Sequence, residues 1–221
     1  MQNNVITGAN AESILSTNKL IRNTYILLSM TLLFSAFTAA ISVLLRMPPS
    51  TYLFSIGGAF LLIWFVLPKT ANSSSGIGVV FLITGLLGFS LGPILNMYLA
   101  LPNGPQIVAT ALGGTGIIFL GLSGYALTTK KDFSFLGGFL FVGFLVVLGA
   151  AILNIFMAIP ALSLALSAAI VMLMSGFILF DTSRMINGGI DNYVLATIQL
   201  YMNIFNLFIS LLHLLGFSRS D

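Results

Sequence analysis

The stretch YVLATIQLYMNIFNLFISLLHLLG, from Tyr193 to Gly216, contains no Asp, Glu, Lys or Arg and a single histidine. It is long enough to cross a bilayer as one helix, for which about 20 apolar residues suffice. Its polar residues are not scattered. Gln199, Asn203, Asn206, Ser210 and His213 fall at i, i+4, i+7, i+11 and i+14, one narrow stripe at 100° per residue. Against lipid each unsatisfied polar group costs several kcal/mol. The stripe therefore predicts a spanning helix that is surrounded by others. Two accounts fit it: interhelical hydrogen bonding, worth about 0.6 kcal/mol per contact, or the wall of a polar cavity.

Composition demands the same solvent. The 221 residues are 58% hydrophobic and 6% charged, with a mean hydropathy of +1.09, whereas soluble domains carry roughly 25% charged residues. So few charges cannot cover a water-facing surface. Hydropathy places six further spans: Thr24 to Leu45, Thr51 to Leu67, Ile77 to Leu101, Gln106 to Leu127, Phe135 to Met157 and Leu162 to Phe180. Pro48-Pro49, Pro68, Pro102-Asn103-Gly104-Pro105 and Pro160 punctuate them. The expected fold is an all-α membrane protein of seven transmembrane helices. A polar tail, 1–23, precedes a single domain, 24–216, and a short tail, 217–221, follows. The first apolar run is long enough to span, so it reads as an uncleaved anchor rather than a secretory signal.

Lys19, Arg22, Lys69, Lys130, Lys131 and Arg184 fall on one side of this topology, and Arg46 and Arg219 on the other. Positive residues concentrate on the cytoplasmic side. The N-terminus is therefore expected inside and, after seven spans, the C-terminus outside. The net charge of +3 reflects this bias rather than nucleic-acid binding.

Gly85, Gly88, Gly92 and Asn96 share one face of span three, with Gly88 and Gly92 forming a GxxxG. Small residues let membrane helices approach closely, and Gly113, Gly116 and Gly124 in span four read the same way. Asp181, at the end of span six, is the one acid expected to touch the hydrocarbon boundary. Intramembrane carboxylates mark functional positions; the alternative is an end-cap that snorkels and pairs with Arg184. A lone carboxylate makes a poor calcium site, since calcium takes roughly six to eight oxygens. His213 has no cysteine or second histidine to share a zinc ion with. No serine–histidine–acid set, HExxH, Walker A or dinucleotide fingerprint is present. The chain is not expected to be an enzyme, and no catalytic, metal-binding or cofactor-binding residue is assigned.

Five stretches carry a resemblance that covers the chain from about Leu20 to Gly216. They are Gly92-Pro93-Ile94-Leu95-Asn96, Lys130-Lys131-Asp132-Phe133-Ser134-Phe135-Leu136-Gly137, Asn154-Ile155-Phe156, Phe180-Asp181-Thr182 and Tyr201-Met202-Asn203-Ile204-Phe205-Asn206-Leu207-Phe208. Together they resemble the Bax inhibitor/YccA-like family, also called the transmembrane Bax-inhibitor-motif family. Thr17-Asn18-Lys19 before Arg22-Asn23-Thr24-Tyr25 looks most like its bacterial YccA branch.

The resemblance implies six helices around a central seventh and a place in the bacterial inner membrane. It implies two activities. Members of the YccA branch restrain the membrane-embedded ATP-dependent protease FtsH, which grasps the short N-terminal tail, here the tail carrying Lys19 and Arg22. Members of a related branch are pH-sensitive calcium leaks. Their sensor is a pair of aspartates with a basic partner near the end of span two. The first aspartate matches Asp181, but the second falls on Asn203, and only Lys69 lies near the basic position. Two close carboxylates share a proton because both cannot ionise cheaply. An Asp–Asn pair has no such coupling, so the departure favours the protease regulator, with lipid and FtsH as partners.

Overall fold

A computed structural model describes residues 2–217, with side chains from Leu15 onward; Arg219 and the rest of the segment 218–221 lie outside the described residues. Seven helices are long and apolar enough to cross a membrane. They are α1 (Gln2–Leu44), α2 (Ser50–Thr70), α3 (Ser75–Leu99), α4 (Gly104–Thr129), α5 (Leu136–Met157), α6 (Pro160–Ile186) and α7 (Tyr193–Phe217). No strand occurs among the described residues.

Helix ends follow local chemistry. At the end of α1, Arg46 takes a left-handed φ of 49°, Met47 N–H donates to the Ser42 carbonyl at 3.2 Å, and the two prolines prevent further helix. Within α2, Pro68 cannot donate to the ladder and crowds the carbonyl four residues back, and Leu62–Val66 is wound as a π turn before it. Helix α6 continues past Phe180 to Ile186, so Asp181 and Arg184 are helical rather than in the loop. It ends where Gly188 adopts φ 78° and Gly189 N–H reaches the Arg184 carbonyl at 2.7 Å. Asn192 starts α7: its Oδ1 accepts from Val194 N–H at 2.8 Å and Leu195 N–H at 3.2 Å. Its Nδ2 donates to the Ala71 carbonyl at 3.0 Å and Asn72 Oδ1 at 2.7 Å. One side chain thus caps a helix and ties two loops together. Asn192→Ala is expected to cost about 1–2 kcal/mol, read as a lowered thermal unfolding midpoint in detergent.

The last helix is central. Over its most apolar stretch 56% of α7 is buried, against 6% for α5. It packs on α1, α3, α4 and α6, while α2 leans on α3 and α5 on α6. Tyr201, Leu200, Leu207 and Leu212 of α7 are fully enclosed. The most extensive helix pair is α1 with α3, and glycines make it. A Cβ at Gly88 would strike the Ser35 carbonyl and Thr38 hydroxyl, one at Gly92 the Ser42 hydroxyl, and one at Gly85 the Phe34 ring. Asn96 continues this face, with Nδ2 3.4 Å from the Val43 carbonyl. The expectation for α4 is corrected. A Cβ at Gly113, Gly116 or Gly124 would meet nothing within 4 Å. These glycines face lipid or an open cleft, because Ile107, Ala111, Phe119 and Ala126 form the buried side of α4.

Candidate functional site

Helices α6 and α7 bring Asp181 and Asn203 together. Asn203 Nδ2 donates to Asp181 Oδ2 at 2.7 Å, and both residues are buried, at 6% and 7% exposure. Asp181 thus lies inside the bundle and does not snorkel to the interface. Arg184, which the sequence offers as its partner, points elsewhere. Its Nη2 donates to the Gly189 carbonyl at 2.8 Å, and its guanidinium lies 5.4 Å from the centre of the Phe180 ring. Lys69 is exposed on α2 and no bond joins it to the pair. Among the described residues, no three His, Asp or Glu side chains converge as metal ligands do.

Two hydroxyl chains flank the pair. Tyr25 of α1 bonds Ser123 of α4, whose Oγ lies 3.3 Å from Thr182 Oγ1 on α6. Deeper in the bundle, Ser35 Oγ meets Tyr201 OH at 2.5 Å, and Tyr201 OH donates to the Thr84 carbonyl at 3.3 Å. These chains tie α1 to α4, α6, α7 and α3. They escape sequence reading because a lone Ser or Tyr in an apolar helix announces no partner.

The structure divides the predicted stripe. Gln199 is half-buried, and its Oε1 is enclosed without a partner. Asn206 Nδ2 turns back onto the Met202 carbonyl at 2.8 Å. Ser210 is buried. His213 Nδ1 lies 3.3 Å from Tyr98 OH. Ser210 and His213 also border a cleft of about 300 Å³ with Asn154, Ser163 and Ser167. The stripe therefore meets Asp181 through Asn203, and through Ser210 and His213 borders a cleft whose lining mixes polar and apolar side chains. Lys19 and Arg22 are exposed on α1, which has 43 residues. Such a helix is about 65 Å long, roughly twice the thickness of the hydrocarbon core, so it projects from the bundle.

The loop after α4 holds Asp132, an acid outside the spans. Asp132 Oδ1 accepts from Ser134 N–H at 2.8 Å. Bonds from the Ser134 hydroxyl and backbone hold its carboxyl below the usual range. Ser183 of α6 fastens the same loop, accepting from Phe133 N–H at 2.9 Å and donating to the Lys131 carbonyl at 3.1 Å.

Seven spanning helices, a last helix at the centre and a buried carboxylate–amide pair between the last two define a polytopic membrane protein built around an internal polar contact. The chain belongs to the family described as Inhibitor of apoptosis-promoting Bax1, which it matches over residues 17–220. It is 50% identical to the protein named Modulator of FtsH protease YccA in Escherichia coli strain K12, over 95% of this chain and 94% of that one. An uncharacterised membrane protein of Vibrio cholerae is likewise 50% identical over 95% of this chain and 94% of its own. A Pseudomonas aeruginosa protein is 48% identical over 91% of this chain and 90% of its own. None of these three names describes an enzyme.

Proposed function

We propose that the chain is a non-enzymatic, multi-pass inner-membrane modulator of the FtsH protease. The observation that carries this reading is its 50% identity, over nearly the full length of both chains, to the E. coli protein named for that role. Orientation is part of the proposal. The N-terminus, with Lys19, Arg22, Lys69, Lys130, Lys131 and Arg184 at the same end of the bundle, is cytoplasmic, and the C-terminus is periplasmic. The projecting start of α1 is the part a membrane-anchored protease can reach. The seven-helix body resists extraction, so the protease engages a substrate-like partner that it does not quickly degrade.

Deleting residues 1–18 tests tail recognition. The half-life of the full chain in cells with active FtsH is expected to lengthen several-fold, with no change in cells lacking the protease. An unchanged half-life in both would remove the tail from the account. The alternative, a pH-sensitive calcium leak along α7, rests on the Asp181–Asn203 contact. It requires calcium flux into liposomes that falls in Asp181→Asn. It has the weaker support, because the second acid is an amide and Lys69 stands apart from the pair.

A further inference from the structure

Helices α1 and α4 do not pack on one another, although Tyr25 and Ser123 bond across at one end. Beyond that clasp a cleft of about 290 Å³ opens between them, with α7 as its floor. Its size is near the lower limit of ordinary ligand pockets, roughly 300 Å³. Ala36 and Leu112 stand exposed at the mouth, while Thr115, Phe119, Tyr201 and Phe205 are buried within. The few polar atoms inside are already engaged. Thr115 Oγ1 donates to the Ala111 carbonyl at 2.7 Å, and Ser35 and Tyr201 bond each other at 2.5 Å.

Three candidates compete to fill this space. Water needs two to four polar partners per molecule, and here the hydroxyl protons are already donated within the protein and the remaining lining is apolar. A partner helix is about 10 Å wide and does not fit. An acyl chain does, and depth agrees. The mouth lies eight residues from the end of α1 and eight from the start of α4, about 12 Å inside that end of the bundle. That is within one leaflet of a hydrocarbon core about 30 Å thick. The exposed flank of α4 at Leu112, Ile117 and Leu120 leads lipid to the opening.

We infer that the cleft between α1 and α4 binds one acyl chain of a membrane phospholipid, inserted laterally onto Tyr201 and Phe205. Gly116 lines the cleft, and a Cβ there meets nothing within 4 Å. Gly116→Leu therefore adds apolar bulk at the cleft wall, and its first added atom meets no neighbour. Gly121→Leu also enters open space on the same helix, but outside the cleft, and serves as control. Full-length protein purified from native membranes in mild detergent is examined by native mass spectrometry. Wild type and Gly121→Leu are expected to retain one more phospholipid per chain than Gly116→Leu. Ala36→Leu, at the mouth, provides a second block that does not depend on the folding of the first. Absence of retained phospholipid from the wild type, or retention by Gly116→Leu and Ala36→Leu equal to that of the wild type, would overturn the assignment.

Discussion

Gly88→Leu is expected to be among the most damaging single substitutions in the protein, costing about 3 kcal/mol and leaving little monodisperse protein in mild detergent. The first atom added would strike the Ser35 carbonyl oxygen and the Thr38 hydroxyl of α1. A backbone carbonyl cannot swing aside as a side-chain tip can. Overpacking a tight contact costs roughly 1–3 kcal/mol, and a branched side chain against backbone belongs at the upper end. Separating α1 from α3 also pulls Ser35 away from Tyr201, so a buried hydroxyl chain fails with the seam. Gly121→Leu, which enters open space, is expected to unfold within about 0.5 kcal/mol of wild type. Equal thermal midpoints for the two variants would show that the α1–α3 seam does not set stability.

Asn203→Leu is expected to cost about 2 kcal/mol. Interhelical hydrogen bonds between neutral groups in membranes average only about 0.6 kcal/mol. Asp181 makes this case different, because losing the amide leaves a buried carboxyl without that donor. Such orphaning costs roughly 1–3 kcal/mol and more for charged groups. Asp181→Asn keeps an amide–amide bond within reach and is expected to cost less, about 1 kcal/mol. The double variant Asp181→Leu/Asn203→Leu, with both polar groups gone, is expected to be more stable than the two single leucine losses sum to. The coupling should lie between about 0.5 and 3 kcal/mol. Zero coupling in a detergent-unfolding cycle would mean that the contact seen between α6 and α7 contributes nothing to holding them together.

Much of this architecture is written in the apolar runs. A span has to be long and uncharged, so Thr24 to Leu45 or Tyr193 to Gly216 declare themselves, and the structure's helices start and stop within a few residues of most of them. The stripe from Gln199 to His213 foretells the central place of α7, because polar groups at that spacing cannot face lipid. Glycine is more ambiguous. Gly88 and Gly113 look alike in sequence, yet one abuts a carbonyl and the other meets nothing. A glycine carries no apolar surface to say which way it faces. The end of α6 depends on the left-handed turn at Gly188, and the start of α7 on Asn192, whose side chain reaches a loop distant in sequence. Asp181 was legible as an intramembrane acid, whereas its choice of Asn203 over Arg184 depends on how α6 and α7 are rotated. Arg184 is taken instead by the Gly189 carbonyl and the Phe180 ring.

Restraint of a membrane protease is the proposed role of this protein. Its most direct test reconstitutes purified FtsH and a membrane substrate in liposomes, with ATP, and follows substrate loss with and without the full-length chain at equal lipid content. Slower proteolysis is expected as the chain is added, with co-purification of the two proteins when the vesicles are dissolved in mild detergent. Unchanged proteolysis, with the chain and the protease separating on purification, would contradict it.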